Sequence, residues 1–164
     1  MEKKSNLSES LEDYLEVILE LESTNKVARA KDIADKMGVK RGSVTSALKN
    51  LSERNLINYE PYSYITLTPE GSEIAKNVVF RHTVIKTFLI KVLHIDEVTA
   101  ETTACRMEHT VDKLTLERMV RFFDFIYSCP RAGEDWIQSF MDFCDSTAPA
   151  DKNKCKACVD SCLK

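Results

Sequence analysis

Residues 29–51, which read RAKDIADKMGVKRGSVTSALKNL, decide the fold. Apolar residues recur at helical spacing in two blocks, which predicts a short helix over 30–37 and a longer one over 41–54. Gly38 stands between the blocks, where a residue without a side chain tolerates the positive φ of a tight turn. The spacing is typical of a helix-turn-helix, in which the second helix packs across the first. The apolar positions expected to be buried are Ile33, Ala34, Met37, Val39, Val44, Leu48 and Leu51.

The segments on either side extend this unit to a winged helix. An amphipathic stripe predicts a first helix over 8–22. After the helix-turn-helix, two β-prone runs at 56–59 and 64–67 are separated by Glu60-Pro61-Tyr62-Ser63, which suits a hairpin with proline in its loop. A hairpin in this position is a wing. We therefore predict a mainly α fold with a small β-wing.

The rest of the chain predicts a helical domain. Thr68-Pro69-Glu70 supplies an N-cap, a proline at the first helical position and an acid near the positive end of the helix dipole. A long helix then reaches about residue 93, and helices over 96–111, 115–128 and 134–144 follow. The expected division is a winged helix-turn-helix DNA-binding domain over 1–72, a helical metal-binding and dimerisation domain over 73–145, and a cysteine-rich tail over 146–164.

The predicted helix over 115–128 is unusually apolar, which predicts a homodimer. More apolar surface is present than a few helices can cover by themselves, so we expect a second copy of the chain to pack here. The apolar positions are Leu116, Met119, Val120, Phe122, Phe123, Ile126 and Tyr127.

Charge is distributed unevenly along the 164 residues. The whole chain has a formal net charge of −3, but residues 24–86 carry eleven basic and six acidic side chains, a net of +5. This basic segment can face the phosphates of double-stranded DNA. No apolar run has the length of a membrane span and no secretion signal is visible, so we expect a cytoplasmic protein without a membrane partner. The residues expected at the DNA groove are Lys40, Arg41, Gly42, Ser43, Thr45, Ser46 and Lys49.

The wing tyrosines, Tyr62 and Tyr64, have two interpretations. They could touch a minor groove or a sugar, but we expect them to pack within the hairpin.

Potential metal ligands occur on three predicted helices. Cys105, Glu108 and His109 occupy positions i, i+3 and i+4, which lie on one face of a helix. Asp13 and Glu16 form an i, i+3 pair on the polar face of the first helix, and the remaining candidate is His82. Each residue alone has an ordinary structural explanation as a solvated charge, a core histidine or a small buried thiol.

Taken together, these residues resemble the diphtheria-toxin-repressor family over about residues 8–130. The resemblance is carried by LEDYLE at 11–16, RAKDIA at 29–34, GSVT at 42–45, LTPEG at 67–71, RH at 81–82 and ACRMEH at 104–109. It implies a winged helix and a helical dimerisation domain bridged by a divalent-metal site, and a metal-loaded dimer that represses metal-uptake genes. By matching position it implies the ligands Asp13, Glu16, His82, Cys105, Glu108 and His109.

The same residues bear on which metal acts as co-repressor. Carboxylates at both Asp13 and Glu16 resemble the manganese branch of the family, whereas Cys105 resembles the iron branch. A thiolate favours Fe(II) over the harder Mn(II), so we expect Fe(II) first and Mn(II) second. Lys86 falls where iron-type members have a ligand of an ancillary site, and its charge would repel a second ion, although a rearranged second site using Glu101 stays open.

The cysteine-rich tail offers another candidate second site. Its thiols follow the pattern C-x10-C-x2-C-x3-C, which could bind Zn(II) or an iron-sulfur cluster, or could belong to a disordered tail whose thiols oxidise. The residues are Cys144, Cys155, Cys158 and Cys162, with Cys129 nearby.

The expected function is a metal-dependent repressor and not an enzyme. Six protein ligands leave little room for a substrate, and no nucleophile elbow or phosphate loop is visible. Two alternatives stay open, both of them winged-helix regulators. One senses an organic ligand between the apolar helices, and the other senses redox state through the C-terminal cysteines.

Overall fold

The computed structural model describes residues 7–60, 63–128 and 134–145. Within them the chain is mainly helical with a small antiparallel sheet, as predicted. The elements are α1 (Glu9–Asn25), α2 (Ala30–Met37), α3 (Arg41–Glu53), β1 (Ile57–Asn58), β2 (Thr66–Leu67), α4 (Pro69–Lys91), α5 (Glu97–Met107), α6 (Lys113–Ser128) and α7 (Glu134–Asp145).

The helix-turn-helix consists of α2 and α3, and Gly38 makes the turn as predicted. Its φ is 65°, which an L-residue with a side chain rarely adopts. Val44 and Leu48 of α3 are fully buried. Val39 was also predicted to be buried, but this is wrong, since it is 37% exposed. It lies in the turn after Gly38, and its backbone N–H donates to the carbonyl of Ala34 at 3.1 Å.

The wing has shorter strands than predicted, and a third segment supports it. Ile57 pairs with Leu67, while Ala28 and Ile65 exchange two backbone hydrogen bonds of 3.1 and 2.9 Å. The hairpin is thereby joined to the segment between α1 and α2. Ala28 and Ile65 are both fully buried, so this contact also closes the core of the winged helix.

The junction between the wing and α4 depends on Gly71. A Cβ there would lie 2.0 Å from the carbonyl oxygen of Leu56, so only glycine fits. The Thr68 hydroxyl accepts a hydrogen bond from the N–H of Gly71 at 3.2 Å, which confirms Thr68 as the N-cap of α4. The beginning of α4 is therefore fixed against the winged helix.

The long helix α4 contacts both halves of the protein. Its first half packs against α1, and its second half forms a separate core with α5 and α6. In this second core Ile85 lies against Ala100 and Ala104, all three fully buried. The small alanines let α4 and α5 approach closely. A change in the position of α4 would therefore alter the packing of both halves.

Helix α6 divides its apolar residues between this core and the surface. Leu116 and Ile126 are buried within the chain, and Phe88 of α4 packs against two phenylalanine rings of α6 at 5.8 and 6.0 Å. Phe125 and Tyr127 remain 56% and 63% exposed. Among the described residues, no helix is both long and apolar enough to cross a membrane.

Candidate metal centre and nucleic-acid surface

Helices α1, α4 and α5 meet at a cluster of potential metal ligands. Two groups of three residues have ligand atoms within 4.8 Å of one another. The first group is His82, Cys105 and Glu108, and the second is Asp13, Glu108 and His109. Glu108 belongs to both. The structure therefore brings five of the six proposed ligands into two groups that share one carboxylate.

Glu108 is the central residue of this cluster and its side chain is fully buried. Its Oε2 lies 2.6 Å from Nδ1 of His82. Its Oε1 is buried without a hydrogen-bond partner, although Nε2 of His109 is 3.3 Å away. Burial raises the pKa of Glu108, with the charge of Glu16 adding to the rise and the hydrogen bond from His82 opposing it. A buried carboxylate oxygen that lacks a hydrogen bond and lies beside imidazoles and a thiol fits a divalent cation.

Asp13 and Glu16 line the same site from α1. Asp13 Oδ1 lies 2.9 Å from Nε2 of His109, and its side chain is 44% exposed. Glu16 belongs to neither group of three, but the charges of the site act on it. Its pKa is raised by burial first, with the charge of His82 opposing the rise and that of Asp13 adding to it. Both carboxylates thus face the histidines from the winged-helix side.

The segment that carries Cys105, Glu108 and His109 differs from the prediction of one continuous helix to residue 111. Helix α5 ends at Met107, and Glu108 is its C-cap, with φ −59° and ψ −28°. His109 follows in the turn. Cys105 and Glu108 consequently face His82, whereas His109 turns toward α1 and Asp13.

Cys105 is an exposed free thiol at the edge of the site. Burial of part of the group and the negative charge of Glu108 raise its pKa to about 11. The thiol therefore keeps its proton at neutral pH unless a cation is present, because a bound metal ion deprotonates a coordinating thiol.

Two residues of the cluster, Glu12 and Arg81, were missed in the sequence. Glu12 Oε2 lies 2.7 Å from Nη2 of Arg81 and 2.9 Å from Nδ1 of His109. Burial acts to lower the pKa of His109, but the hydrogen bond to Glu12 and the charge of Asp13 outweigh it, and the pKa is raised. The available signal was their adjacency to Asp13 and His82 in the sequence.

Glu101, a candidate for a second metal site, is paired with a lysine instead. Its Oε2 lies 2.8 Å from Nζ of Lys86, and its Oε1 lies 3.3 Å from Nε2 of His82. The hydrogen bond from Lys86 is the main reason that the pKa of Glu101 is lowered. Lys86 also contacts Glu97 at 3.3 Å, so one ammonium group serves two carboxylates of α5.

The cysteine tail is only partly described. Cys144 lies exposed on α7 and belongs to neither group of three ligands. The other cysteines proposed for a tail site lie outside the described residues, namely Cys129, Cys155, Cys158 and Cys162.

The residues proposed for DNA form an exposed surface at and after the start of α3. Lys40 is the N-cap of α3, and its first turn contains no acidic residue. Every proposed contact is exposed, which the burial pattern of α3 explains, because Val44, Leu48 and Leu51 occupy the opposite, buried face. The exposed positions are Lys40, Arg41, Gly42, Ser43, Thr45, Ser46 and Lys49.

A cleft of about 770 Å³ separates this surface from the wing, and Arg29, Lys49 and Tyr64 are among its lining residues. The expectation that Tyr64 packs within the hairpin is wrong, since it is 55% exposed. Its ring lies 5.2 Å from the guanidinium carbon of Arg29, which lines the same cleft. Arg29 was not among the residues proposed for DNA, and Tyr62 lies outside the described residues.

Both halves of the chain match family models. Residues 6–65 match the N-terminal DNA binding domain of iron dependent repressors, and residues 68–137 match their metal binding and dimerisation domain.

Individual relatives agree with this assignment. An uncharacterized HTH-type transcriptional regulator of Methanocaldococcus jannaschii is 39% identical over 119 residues, which are 72% of this chain and 95% of that protein. The HTH-type transcriptional regulator MntR of Bacillus pumilus is 33% identical, over 70% of this chain and 81% of that protein. The solved structure of the manganese regulator SloR superposes with a TM-score of 0.63 and 30% identity, over 70% of this chain and 54% of that one. This chain thus spans about half the length of that solved chain.

These matches cover the winged helix and the helical half alike, and the two transcriptional regulators align over most of their length. They also agree with the absence of an enzymatic role that the sequence predicted. The chain therefore belongs to the diphtheria-toxin-repressor family of dimeric, metal-dependent, DNA-binding transcriptional regulators.

Proposed function

We propose that this protein is an Fe(II)-activated repressor of metal-uptake genes, with Mn(II) as the second candidate co-repressor. The observation that carries the proposal is the buried oxygen Oε1 of Glu108, which has no hydrogen-bond partner and lies where both groups of ligands meet. The thiol of Cys105 favours Fe(II), because thiolates prefer softer divalent ions to Mn(II). The proposed ligands are Asp13, Glu16, His82, Cys105, Glu108 and His109.

The placement of these ligands suggests how metal could control DNA binding. Asp13 and Glu16 belong to α1 in the winged helix, whereas the other ligands belong to the helical half: His82 to α4, Cys105 to α5 and Glu108 to the C-cap of α5. Without a cation, the carboxylates of Asp13, Glu16 and Glu108 repel one another, which favours separation of α1 from α5. A bound divalent cation supplies the charge that offsets this repulsion. The population then shifts toward the state in which α1 is held against the helical half.

In a dimer, holding α1 fixes the distance between two α3 helices. Recognition helices must enter successive major grooves about 34 Å apart to bind a palindromic operator. We propose that Lys40, Arg41 and Lys49 contact phosphates or guanine edges, while the serines and Thr45 make backbone or thymine-methyl contacts. The proposed DNA-binding domain spans residues 1–72 and the metal-binding and dimerisation domain 73–145. Binding to the chromosome would place the protein in the cytoplasm.

The proposal is tested by selecting bound sequences from a random duplex DNA pool under anaerobic conditions. Parallel selections contain chelator, Fe(II), Mn(II) or Zn(II) at one salt concentration, because phosphate contacts make affinity salt-dependent. Recovery of a palindrome with Fe(II), or with Fe(II) and Mn(II), and not with chelator supports the proposal. Equal recovery with chelator rejects the metal switch and leaves the winged helix as a metal-independent DNA-binding unit.

A double variant links the result to the proposed site. Asp13→Ala with Cys105→Ala should abolish the metal dependence of operator binding while the dimer remains. The matched control is Asp35→Ala with Cys144→Ala, which removes the same residue types from exposed positions on α2 and α7. Equal metal dependence in the two double variants would show that the ions act elsewhere.

A further inference from the structure

Glu12 makes two contacts that none of the proposed ligand assignments uses. It lies beside Asp13 on α1 but is only 9% exposed, and it belongs to neither group of three ligands. A single oxygen, Oε2, lies 2.7 Å from Nη2 of Arg81 on α4 and 2.9 Å from Nδ1 of His109 after α5. One carboxylate thus joins three separate segments around the site.

The two ring nitrogens of His109 face different surroundings. Nδ1 faces Glu12, whereas Nε2 lies 2.9 Å from Oδ1 of Asp13 and 3.3 Å from Oε1 of Glu108. Ionised carboxylates only accept hydrogen bonds, so both ring nitrogens face acceptors. Glu12 is also held by Arg81, whereas Asp13 and Glu108 are proposed metal ligands. A cation bound by Asp13 and Glu108 would therefore take the place of a proton on Nε2 and leave the proton on Nδ1 with Glu12. In a neutral imidazole the lone pair is then on Nε2, the nitrogen that faces two proposed ligands.

We infer that Glu12 and Arg81 are positioning residues that make Nε2 of His109 the metal-binding atom. The inference rests on the proposed function and extends it to residues outside the ligand set. Arg81 is always charged, and its Nη2 donates to Oε2 of Glu12 at 2.7 Å, so it holds Glu12 in place and balances its charge. Carboxylates that bind the far nitrogen of a metal-bound histidine orient the ring in this manner.

Glu12 itself does not serve as a ligand in this arrangement. Its Oε2 is occupied by Arg81 and His109, and Arg81 is a cation that would repel a metal ion approaching from the same side. The neighbouring acids Glu12 and Asp13 consequently have different roles. Asp13 faces Nε2 of His109 and Glu12 faces Nδ1, so they hold the same ring from opposite nitrogens.

The test measures the protonation and coordination of the histidine ring nitrogens in Zn(II)-loaded full-length protein. Long-range ¹H–¹⁵N correlation spectra distinguish a protonated Nδ1 from a coordinated one, and the chain has only three histidines to assign. Wild type should show His109 with a proton on Nδ1 and Zn(II) on Nε2. Glu12→Ala should lose this single ring state and bind Zn(II) about 10- to 100-fold more weakly. Glu12→Gln keeps an acceptor oxygen and should lose less affinity.

The control is Glu9→Gln, which makes the same charge change at an exposed position one turn earlier on α1. If Glu12→Ala retained both the Nε2-bound ring and the affinity of Glu9→Gln, the inference would be overturned. If Glu12→Ala did not fold, Glu12→Gln and Arg81→Gln would decide the matter, and unchanged affinity and ring state in both would overturn it equally. If the ring ¹⁵N signals of His109 in the wild-type protein did not change on addition of Zn(II), the proposed metal site would be refuted, and the inference with it.

Discussion

His82 and Glu108 contact each other directly, with 2.6 Å between Nδ1 and Oε2. Two proposed ligands, one on α4 and one at the end of α5, are therefore in contact without a cation between them. The other oxygen of Glu108 has no hydrogen-bond partner, and its carboxylate is fully buried. Burial raises the pKa of Glu108, so the protein bears a cost for keeping this group charged at neutral pH. Binding of a divalent cation would remove that cost.

The first prediction concerns Glu108→Gln. Without metal this variant should unfold at no lower temperature than wild type, because a neutral amide is less costly to bury than a carboxylate. It should also lose the stabilisation by metal, which for a site at 100 times Kd amounts to about 2.7 kcal/mol. Thermal unfolding in chelator and in Mn(II) measures both effects. Glu117→Gln, an exposed change on α6, should leave the metal-induced rise in Tm intact.

The second prediction is that metal affinity rises with pH. The pKa of Cys105 is raised to about 11, mainly by burial, so the thiol is protonated throughout the neutral range. Coordination by the thiolate must release this proton, and each proton released raises the affinity about tenfold per pH unit. Anaerobic Fe(II) titrations at several pH values between 6.5 and 8.5 measure the slope of the logarithm of affinity against pH.

Cys105→Ala should lower that slope by about one, because one releasable proton is lost. Cys144→Ala removes an exposed thiol on α7 and should leave the slope unchanged. An identical slope for wild type and Cys105→Ala would mean that the thiol does not coordinate the ion.

Much of the winged helix could be predicted because its signals are local. Gly38 ends α2 through a positive φ, and Thr68 with Pro69 begins α4 through capping, so each boundary depends on a few adjacent residues. The i, i+3 spacing of Cys105 and Glu108 likewise places them near each other on consecutive turns of one segment. These features form with little contribution from distant parts of the chain.

The errors and omissions involve contacts between distant segments. The role of Glu12 could not be identified from the sequence, since its partners Arg81 and His109 lie 69 and 97 positions away in the chain. The β-bridge between Ala28 and Ile65 was missed for the same reason. Periodicity also carried the helix past Glu108, whereas α5 ends there and His109 turns toward α1. Sequence patterns identify the residues of the site but not which partner each one meets.

The third prediction concerns the number of ions that the chain holds. Lys86 Nζ lies 2.8 Å from Glu101 and 3.3 Å from Glu97, which leaves a cation where a second metal ion would otherwise find carboxylates. Lys86→Glu replaces this cation with another carboxylate next to Glu101 and His82. We expect the variant to bind one more Mn(II) per chain than wild type, as counted by equilibrium dialysis. Lys91→Glu makes the same charge change at an exposed position of α4, and a gain in both variants would point to nonspecific attraction.

The fourth prediction separates phosphate contacts from other contributions to DNA binding. Lys49 lies exposed on α3 and lines the cleft that faces the wing, together with Arg29 and Tyr64. If Lys49 neutralises one phosphate, Lys49→Ala should weaken operator binding and reduce the slope of log K against log salt by about one. Lys91→Ala, on the far part of α4, should change neither quantity.

The Tyr64 ring should contribute to DNA binding differently from Lys49, because it carries no charge and packs against the guanidinium of Arg29 at 5.2 Å. Tyr64→Ala removes this support without removing a charge, so it should lower affinity while leaving the salt slope within error of wild type. Affinities of Lys49→Ala, Lys91→Ala and Tyr64→Ala for operator DNA, measured at four salt concentrations, distinguish these cases. A parallel loss of slope in Tyr64→Ala would show that the ring holds Arg29 on a phosphate, and an unchanged affinity would remove the wing from the DNA interface.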